Sequence, residues 1–374
     1  MKNKTKSKLI SAVFIVFIFA ATVLYVFTPK NSFSVTEKRY LADFPKFSFE
    51  SLSSGKFTSE FEEYLSDHAR FRNVLVSINS YFELVKGNNG SGGVYLGSDG
   101  WLIEKPFDRE NRFDTNIRRI AAFAKSTDIP TAIAAVPEKG FIYGEKLPKN
   151  SLKYNDDEYF KKLSAQCGDS VRFINLSDAL KAQKNDRQIF YKTDHHWTSE
   201  GAYIGYTEIC KALNLTATEE NSFNVQTVDD FYGTSYSTSL YTLTKPDTMK
   251  IMRSKKTDGA ADIVIEDGKA EKSGNMFFDS NLDGSDKYTV FLDGNHPFVR
   301  IKTENAGGKL LVIKDSFAHC LVPFLAENYS EIVTLDLRYY KKPISQLLSA
   351  ESFNQILFVY GMENLAESRD IIIK

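Results

Sequence analysis

Cysteine is scarce in this sequence, and its placement excludes a disulfide framework. Three cysteines occur in 374 residues, at Cys167, Cys210 and Cys320. Their spacing matches no zinc-binding pattern, and an odd number leaves at least one thiol unpaired even if the other two form a bridge. We expect three buried, inert thiols and no essential disulfide.

A surplus of either charge is also missing. Lys and Arg together number 47 and Asp and Glu number 48, which gives a formal net charge of -1. A chain without a basic surplus does not capture nucleic acid by bulk electrostatics, so no nucleic-acid partner is expected. Hydrophobic residues at 42% and charged residues at 25% are typical of a globular protein.

One long hydrophobic run stands near the N-terminus. Residues Leu9 to Phe27 carry no charge, and four of the first eight residues are lysines. As a helix the run is about 28 Å long, close to the thickness of the hydrocarbon core of a bilayer. Because basic flanks stay in the cytoplasm, the pattern predicts a single-pass membrane anchor with the C-terminal part extracellular. A cleaved signal peptide is the alternative, although this run is long for one and ends in bulky residues.

The chain is predicted to have three parts. Residues 1–30 form the N-terminal membrane anchor, and residues 31–90 form a juxtamembrane segment with amphipathic helices between Ser59 and Leu84. A loop rich in Asn and Gly follows, and Val94 to Ile103 then predicts a β-hairpin. This hairpin opens the third part, a catalytic domain over residues 91–374.

Strands alternate with helices through most of the third part. Thr131 to Val136 and Leu310 to Ile313 are continuous apolar runs, typical of strands covered on both faces. The alternation predicts an α/β fold: a three-layer α/β/α arrangement with a mostly parallel central sheet. Residues 215–300 differ, because Thr, Ser, Asp, Gly and Tyr dominate and short alternating runs appear, such as Tyr288 to Phe291. We interpret them as a β-rich insertion.

The segment with the most chemistry begins at Tyr191 and reads Tyr-Lys-Thr-Asp-His-His-Trp-Thr. Asp194 stands two residues before His196, and a carboxylate at that spacing can orient an imidazole and stabilise its charged form. We favour His196 as a general base, with His195 structural. Either histidine could instead bind a metal with Asp194, but no third ligand is evident nearby; a metal-dependent enzyme that uses Asp194, His195 and His196 is a further alternative. A helix is expected from Gly201 to Leu213, with Ser199 as its candidate N-cap.

A nucleophile for this base is found far downstream. Ser316 follows the apolar strand Leu310 to Ile313, at the carboxyl end where open α/β sheets bind their ligands. A helix is expected to begin near Phe317, and its free N–H groups could stabilise an oxyanion. Ser316 could instead serve only as a helix cap. His319 is a weaker candidate for the base, since it would lie on the same helix face as Ser316.

These segments resemble a known family. The run Thr193 to Trp197 is similar to the signature of the DHHW-motif proteins of Gram-positive bacteria, and to the Asp-x-His-Trp motif of the SGNH-like domain in periplasmic alginate O-acetyltransferases. The order Asp194, His196, Ser316 agrees with that group. Further matching motifs, over about residues 37–365, are Val94-x-Leu96-Gly97-x-x-Gly100-Trp101-Leu102, Pro137-x-Lys139 and Lys314-Asp315-Ser316-Phe317.

The resemblance implies an SGNH-like fold and acyl transfer to or from an extracellular glycan. By it Ser316 is the nucleophile, His196 the base and Asp194 the residue that orients the base. Asn295, His195 and Trp197 are further candidates for contacts with substrate or oxyanion. No cofactor or metal is expected.

The function expected is that of a membrane-anchored extracellular acyltransferase or esterase. It would add or remove O-acetyl groups on a cell-surface or extracellular polysaccharide, and a membrane-bound O-acyltransferase is a candidate partner that would supply the acyl group. A non-catalytic glycan-binding or assembly protein of the cell envelope is the alternative.

Overall fold

The computed structural model describes residues 2–106, 112–258, 261–266 and 271–373. The chain divides into two compact units, Met1–Asn88 and Asn89–Lys374. The further boundary expected at about residue 30 stays a prediction.

The first unit is mainly helical. The helix α1 (Lys2–Val26) contains the stretch Lys6–Val26, whose most apolar 18-residue window has a mean hydropathy of 2.7. By length and composition this stretch can cross a membrane, a property that signal sequences near the N-terminus share. The elements that follow are β1 (Phe33–Ser34), β2 (Arg39–Tyr40), α2 (Phe49–Ser53), α3 (Lys56–Asp67) and α4 (Arg72–Val85). Two helices therefore occupy the segment where amphipathic helices are expected.

The buried carboxylate of Asp67 organises this unit. It accepts hydrogen bonds from the Arg39 guanidinium at 2.8 and 2.5 Å and from the Ala42 N–H at 2.9 Å. The Arg39 hydrogen bonds lower the pKa of Asp67 to about 2, against the effect of burial. The carboxylate thus stays ionised and joins the β1–β2 ribbon to the end of α3.

The second unit opens with three short antiparallel strands and contains an eight-stranded sheet. The short strands are β3 (Gly90–Ser91), β4 (Val94–Leu96) and β5 (Leu102–Glu104). The strands β4 and β5 are the predicted hairpin. The large sheet contains β6 (Thr131–Val136), β7 (Arg172–Asn175), β10 (Asp262–Glu266), β11 (Glu271–Gly274), β12 (Phe298–Lys302), β13 (Lys309–Lys314), β14 (Glu331–Leu335) and β15 (Gln355–Gly361). A separate antiparallel pair is β8 (Phe223–Phe231) with β9 (Asp247–Ser254).

The order of strands in the large sheet is β11-β10-β12-β14-β13-β15-β6-β7. The five strands from β14 to β7 run parallel to one another, and the three at the other edge pair in antiparallel fashion. The predicted mostly parallel sheet is thus confirmed. The β-rich segment over residues 215–300 also contributes β10 and β11, which extend this sheet rather than forming only a separate insertion.

Helices cover both faces of the sheet. They are α5 (Phe113–Lys125), α6 (Lys139–Ile142), α7 (Asp156–Cys167), α8 (Ser177–Gln183), α9 (Ser199–Leu213), α10 (Thr234–Ser239), α11 (Val322–Leu325), α12 (Ile344–Ala350) and α13 (Met362–Glu367). Along β13, Leu310 and Val312 join the core with α8, α9 and α11, while Leu311 and Ile313 join the core with α5, α7, α12 and α13. This alternation follows from the two-residue repeat of a strand and explains why β13 is apolar from Leu310 to Ile313.

Three local expectations are wrong. Thr198, and not Ser199, caps α9, because the Thr198 hydroxyl accepts from the Gly201 N–H at 3.1 Å. The run Tyr288 to Phe291, expected as a strand, begins in the 3-10 turn Lys287–Val290, because the Thr289 N–H and hydroxyl both bond the Asp286 carbonyl. The regular helix expected near Phe317 is replaced by a single 3-10 turn, Ser316–Ala318.

Candidate active site

The segment with Asp194 and His196 is a tight loop between α8 and α9. The Tyr191 N–H donates to the His196 carbonyl at 3.2 Å, and this bond closes the loop. The buried carboxylate of Asp247, at the start of β9, accepts from the N–H groups of Lys192 and Thr193 at 2.9 and 2.8 Å and from the Thr193 hydroxyl at 2.7 Å. The β8–β9 pair therefore holds this loop in place.

Asp194, His196 and Ser316 form a continuous line of hydrogen bonds. The His196 Nδ1 lies 2.5 Å from Asp194 Oδ1, and the His196 Nε2 lies 2.7 Å from Ser316 Oγ. Because an ionised carboxylate only accepts, Nδ1 carries the proton and Nε2 accepts from the Ser316 hydroxyl. Asp194 and His196 are 1% and 5% exposed and Ser316 is 9% exposed, so the line is buried and reaches the surface at the serine.

Asp194 is held by two backbone donors, one on its own loop and one on a neighbouring segment. Its Oδ1 also accepts from the His196 N–H at 2.9 Å, and its Oδ2 accepts from the Thr234 N–H at 2.6 Å. Gly233 makes this close approach possible, since a Cβ at that position would lie 2.1 Å from the Asp194 Cβ. The backbone at Gly233 and Thr234 thus packs directly on the catalytic candidate.

Burial sets the protonation state of His196. Desolvation lowers the pKa of its imidazole, and neighbouring His195 lowers it further, while Asp194 acts in the opposite direction. The ring is therefore neutral near pH 7, which is the form that a general base requires.

Ser316 lies in a turn built by Asp315. The Asp315 Oδ1 accepts from the Phe317 N–H at 3.0 Å, and its Oδ2 accepts from the Gly361 N–H at 2.8 Å and from the Asn364 amide at 2.9 Å. The turn is followed only by the four-residue helix α11, so an extended helix dipole does not act on Ser316. The side chain of Asp315 instead links the serine turn to the end of β15.

A buried lysine contacts the loop that contains Asp194 and His196. The Lys139 Nζ donates to the Asp194 carbonyl at 2.7 Å and lies 3.3 Å from Glu104 Oε2. Lys139 is 3% exposed, so the ion pair with Glu104 stabilises its buried charge. This explains a physical role for the Lys in the Pro137-x-Lys139 motif.

Ser316 opens on a cavity of about 650 Å³. Its wall includes His195, Phe317, Arg338 and Asn364 together with Lys139. Arg338 is held by Asp336 and by Asn295, whose side-chain oxygen accepts from its Nη2 at 2.9 Å. A cavity of this size accommodates a sugar unit and a small acyl group.

The remaining candidates lie in different settings. His195 is one-third exposed and lines the cavity. Trp197 is fully buried, and its Nε1 donates to the Phe317 carbonyl at 2.9 Å. This bond connects the loop of Asp194 and His196 to the turn that contains Ser316. Asn295 is not among the described residues that line the cavity. Asn364, which sequence reasoning missed, does line it.

His319 and the metal alternative can be judged from their partners. The His319 Nε2 lies 2.7 Å from Lys314 Nζ, in a fully buried group with Asp336, so that ring atom is engaged away from Ser316. Asp194, His195 and His196 are the group of potential metal ligands found among the described ranges. Within it, Asp194 Oδ1 and His196 Nδ1 hydrogen-bond each other at 2.5 Å, and a bound cation would have to break that bond.

The fold and the described site define the class: this is an SGNH-like α/β protein with Asp, His and Ser brought together at the carboxyl edge of a parallel sheet. Residues 94–280, half of the chain, match the family described as "SGNH hydrolase-like domain, acetyltransferase AlgX", and the chain belongs to this family. The matched range includes Asp194 and His196 and ends before Ser316.

Individual relatives agree with this membership. A "probable alginate O-acetylase AlgJ" of Pseudomonas syringae pv. tomato is 25% identical over 169 residues, 43% of each chain, so the match spans less than half the length of this curated relative. A solved DHHW family protein from Eubacterium siraeum has a TM-score of 0.64 at 22% identity, over 75% of this chain and 94% of that one. PatB1 of Bacillus cereus, solved with a sulfonyl adduct, has a TM-score of 0.62 at 22% identity, over 75% of this chain and 98% of that one. The two structures share the fold.

Proposed function

We propose that this chain is a membrane-anchored extracellular O-acetyltransferase or esterase. It adds or removes O-acetyl groups on a cell-surface or extracellular polysaccharide through a serine acyl-enzyme. The observation that carries the proposal is the hydrogen-bonded line Asp194–His196–Ser316, which ends at a cavity.

The chemistry follows from this line. The Ser316 Oγ attacks the carbonyl carbon of an acetyl ester and gives its proton to His196 Nε2, while Asp194 stabilises the resulting imidazolium. His196 then returns the proton to the leaving alcohol, and an acetyl-Ser316 remains. A sugar hydroxyl or water next loses its proton to His196 and attacks the acetyl carbon. The bond from that carbon to Ser316 Oγ then breaks, and His196 returns the proton to the serine oxygen. A sugar acceptor makes the enzyme a transferase, and water makes it an esterase.

The oxyanion needs donors on the cavity wall. Asn364 lines the cavity, and Asp315 accepts from its amide nitrogen, which carries two N–H groups. We assign the second N–H to the oxyanion, with the Arg338 guanidinium adding positive charge nearby. His195 lines the cavity and keeps its proposed contact with the substrate. Trp197 is fully buried and would act only through the Phe317 carbonyl to which its Nε1 donates.

The polysaccharide acceptor and the envelope location rest on other observations. The curated relatives are named as probable alginate O-acetylases, which supports a glycan acceptor. The exposed apolar helix at residues 6–26 supports anchoring, with residues 1–30 as anchor, 31–90 as juxtamembrane segment and 91–374 as catalytic domain. An extracellular site has no cytoplasmic acetyl donor at hand, so we also propose a membrane-bound O-acyltransferase as the partner that delivers the acyl group.

The test is an assay of the full-length chain in detergent. Acetate release from p-nitrophenyl acetate and acetyl transfer to an oligosaccharide are measured for the wild type, Ser316→Ala and His196→Ala. Each variant should lose at least about 10³-fold in kcat, because the three groups act as a unit. Ser349→Ala, an exposed serine on α12, is the matched control and should match the wild type. A Ser316→Ala variant with wild-type turnover would overturn the nucleophile, and an inactive wild type would favour a glycan-binding protein.

A further inference from the structure

An aromatic ring lies flat against the catalytic imidazole. The centroids of the Tyr288 and His196 rings are 4.0 Å apart and their planes differ by 10°. Tyr288 is 4% exposed and belongs to the 3-10 turn Lys287–Val290. The segment over residues 215–300, which the sequence marks only as β-rich, therefore sends a side chain to the centre of the site.

The hydroxyl of the same residue reaches the nucleophile's segment. It lies 3.4 Å from the Ser316 carbonyl and 3.2 Å from the Cys320 Sγ, and it has one proton to donate to either. The Tyr288 side chain thus contacts the base with its ring and the serine turn with its hydroxyl. Ser316 and His196 are 120 residues apart in sequence, and one rigid side chain bridges them.

The stacked Tyr288 ring restricts tilting of the His196 imidazole, a motion that the hydrogen bonds of His196 do not restrict. The bonds of His196 to Asp194 and Ser316 lie in the plane of the imidazole and resist in-plane displacement. Tilting of the ring out of that plane is opposed by a neighbour stacked on its face.

We propose that Tyr288 is a positioning residue that holds the His196 imidazole and the Ser316 turn in register for proton transfer, an inference that rests on the proposed function. It acts through the base and the serine turn and does not touch the substrate.

The competing interpretation is that Tyr288 only fills the core. It does pack there, with its ring 5.4 Å from that of Phe291 and 6.5 Å from that of Tyr191. Loss of filling lowers stability but leaves the titration of His196 unchanged. The test therefore needs a readout of the imidazole itself.

The electrostatic surroundings of His196 define that readout. The titratable groups around it are Asp194 and His195 on its own loop. Asp315 and His319 flank the serine turn on either side, and Tyr288 stacks on the ring. Desolvation is the largest cause that lowers the pKa of His196. Removal of the Tyr288 ring admits water to the imidazole face, so the pKa should rise towards its ordinary value.

The experiment compares three variants of the full-length chain. Tyr288→Phe keeps the ring, whereas Tyr288→Met and Tyr288→Leu replace it with aliphatic side chains of two different shapes. Tyr288→Phe keeps the stack and loses one neutral hydrogen bond, so kcat/KM should fall by no more than about tenfold with an unshifted pH profile. Tyr288→Met and Tyr288→Leu should lose about 10²-fold, the effect of a misplaced catalytic group, mainly in kcat. Their acid limb should move to higher pH.

Phe291→Leu is the control, because Phe291 packs on Tyr288 and lies in the same core. It should lower thermal stability and leave the pH profile in place. A folded Met or Leu variant with wild-type kcat and profile would overturn the proposal. So would a Phe variant that loses as much as the Met variant, since the ring would then be irrelevant.

A second measurement separates this inference from the proposed function. The ¹³C NMR titration of ring-labelled histidine follows His196 directly, with its signal assigned from the His196→Ala spectrum. An inactive wild type would refute the enzyme, yet a shifted His196 titration in Tyr288→Met would still support the positioning role. Identical titrations in the wild type, Tyr288→Phe and Tyr288→Met would refute it.

Discussion

Gly233→Ala is the substitution that the structure predicts most sharply. The added methyl carbon would lie 2.1 Å from the Asp194 Cβ and 2.2 Å from its Oδ2, where ordinary contact begins at 3.4 Å. Asp194 is almost fully buried and cannot swing into solvent. The carboxylate must therefore move by roughly 1 Å, away from the Thr234 N–H or away from His196.

The size of the effect follows from that displacement. The Asp194–His196 bond is 2.5 Å long, and a shift of roughly 1 Å takes it beyond hydrogen-bonding distance. A misplacement of this size costs about 10²-fold in kcat/KM. The overpacking itself should lower the free energy of unfolding by about 1–3 kcal/mol.

Esterase kinetics and urea unfolding of the full-length chain measure both effects. Gly144→Ala is the matched control, because an added Cβ there has no heavy atom of the described chain within 4 Å. In the Asp194→Asn background the same Gly233→Ala change should add little further loss of activity, since both act through one carboxylate. Wild-type kcat/KM in Gly233→Ala, or full additivity with Asp194→Asn, would show that the added methyl group does not act through the Asp194 carboxylate.

Three further predictions concern other parts of the site. Burial, together with His195, lowers the pKa of His196 below 6.5. The value of kcat/KM should therefore be maintained at pH 6.5 and fall only as the pH drops through the lowered pKa. An acid limb above pH 6.5 would contradict this. Asn364→Ala should cost about 10²-fold as the loss of an oxyanion donor, whereas Asn295→Ala should cost much less; the reverse order would restore Asn295 as the donor. Burial raises the pKa of all three cysteine thiols, so iodoacetamide should modify none in the native protein and all in urea, as mass spectrometry can show.

The parts of the fold that sequence predicts are those with a local cause. The apolar run of β13 needs cover on both faces whatever else the chain does, so the strand and the turn after it are predictable. The Asp-x-His spacing likewise places Asp194 beside His196 within one short loop. Their approach to Ser316 depends on how the strands assemble into the sheet. In the sequence, it is indicated only by the position of Ser316 at the carboxyl end of a predicted strand.

The parts that sequence misses depend on distant contacts. Phe317 cannot continue into a regular helix, because its carbonyl accepts from Trp197 Nε1 and Pro323 has no N–H for the carbonyl of His319. The place of Tyr288 against His196 is set by the packing of a segment with weak periodicity. Asn364 lies on α13, the helix that follows β15, and no signal in its own neighbourhood marks it.

The central claim is that Ser316 is a nucleophile activated by His196, and active-site labelling tests it most directly. The full-length chain is treated with a serine-reactive phosphonate, and the adduct is mapped by peptide mass spectrometry. We expect one adduct, on Ser316, formed at a strongly reduced rate in His196→Ala and absent in Ser316→Ala. An adduct on another residue, or an unmodified Ser316 in a folded wild-type protein, would contradict it.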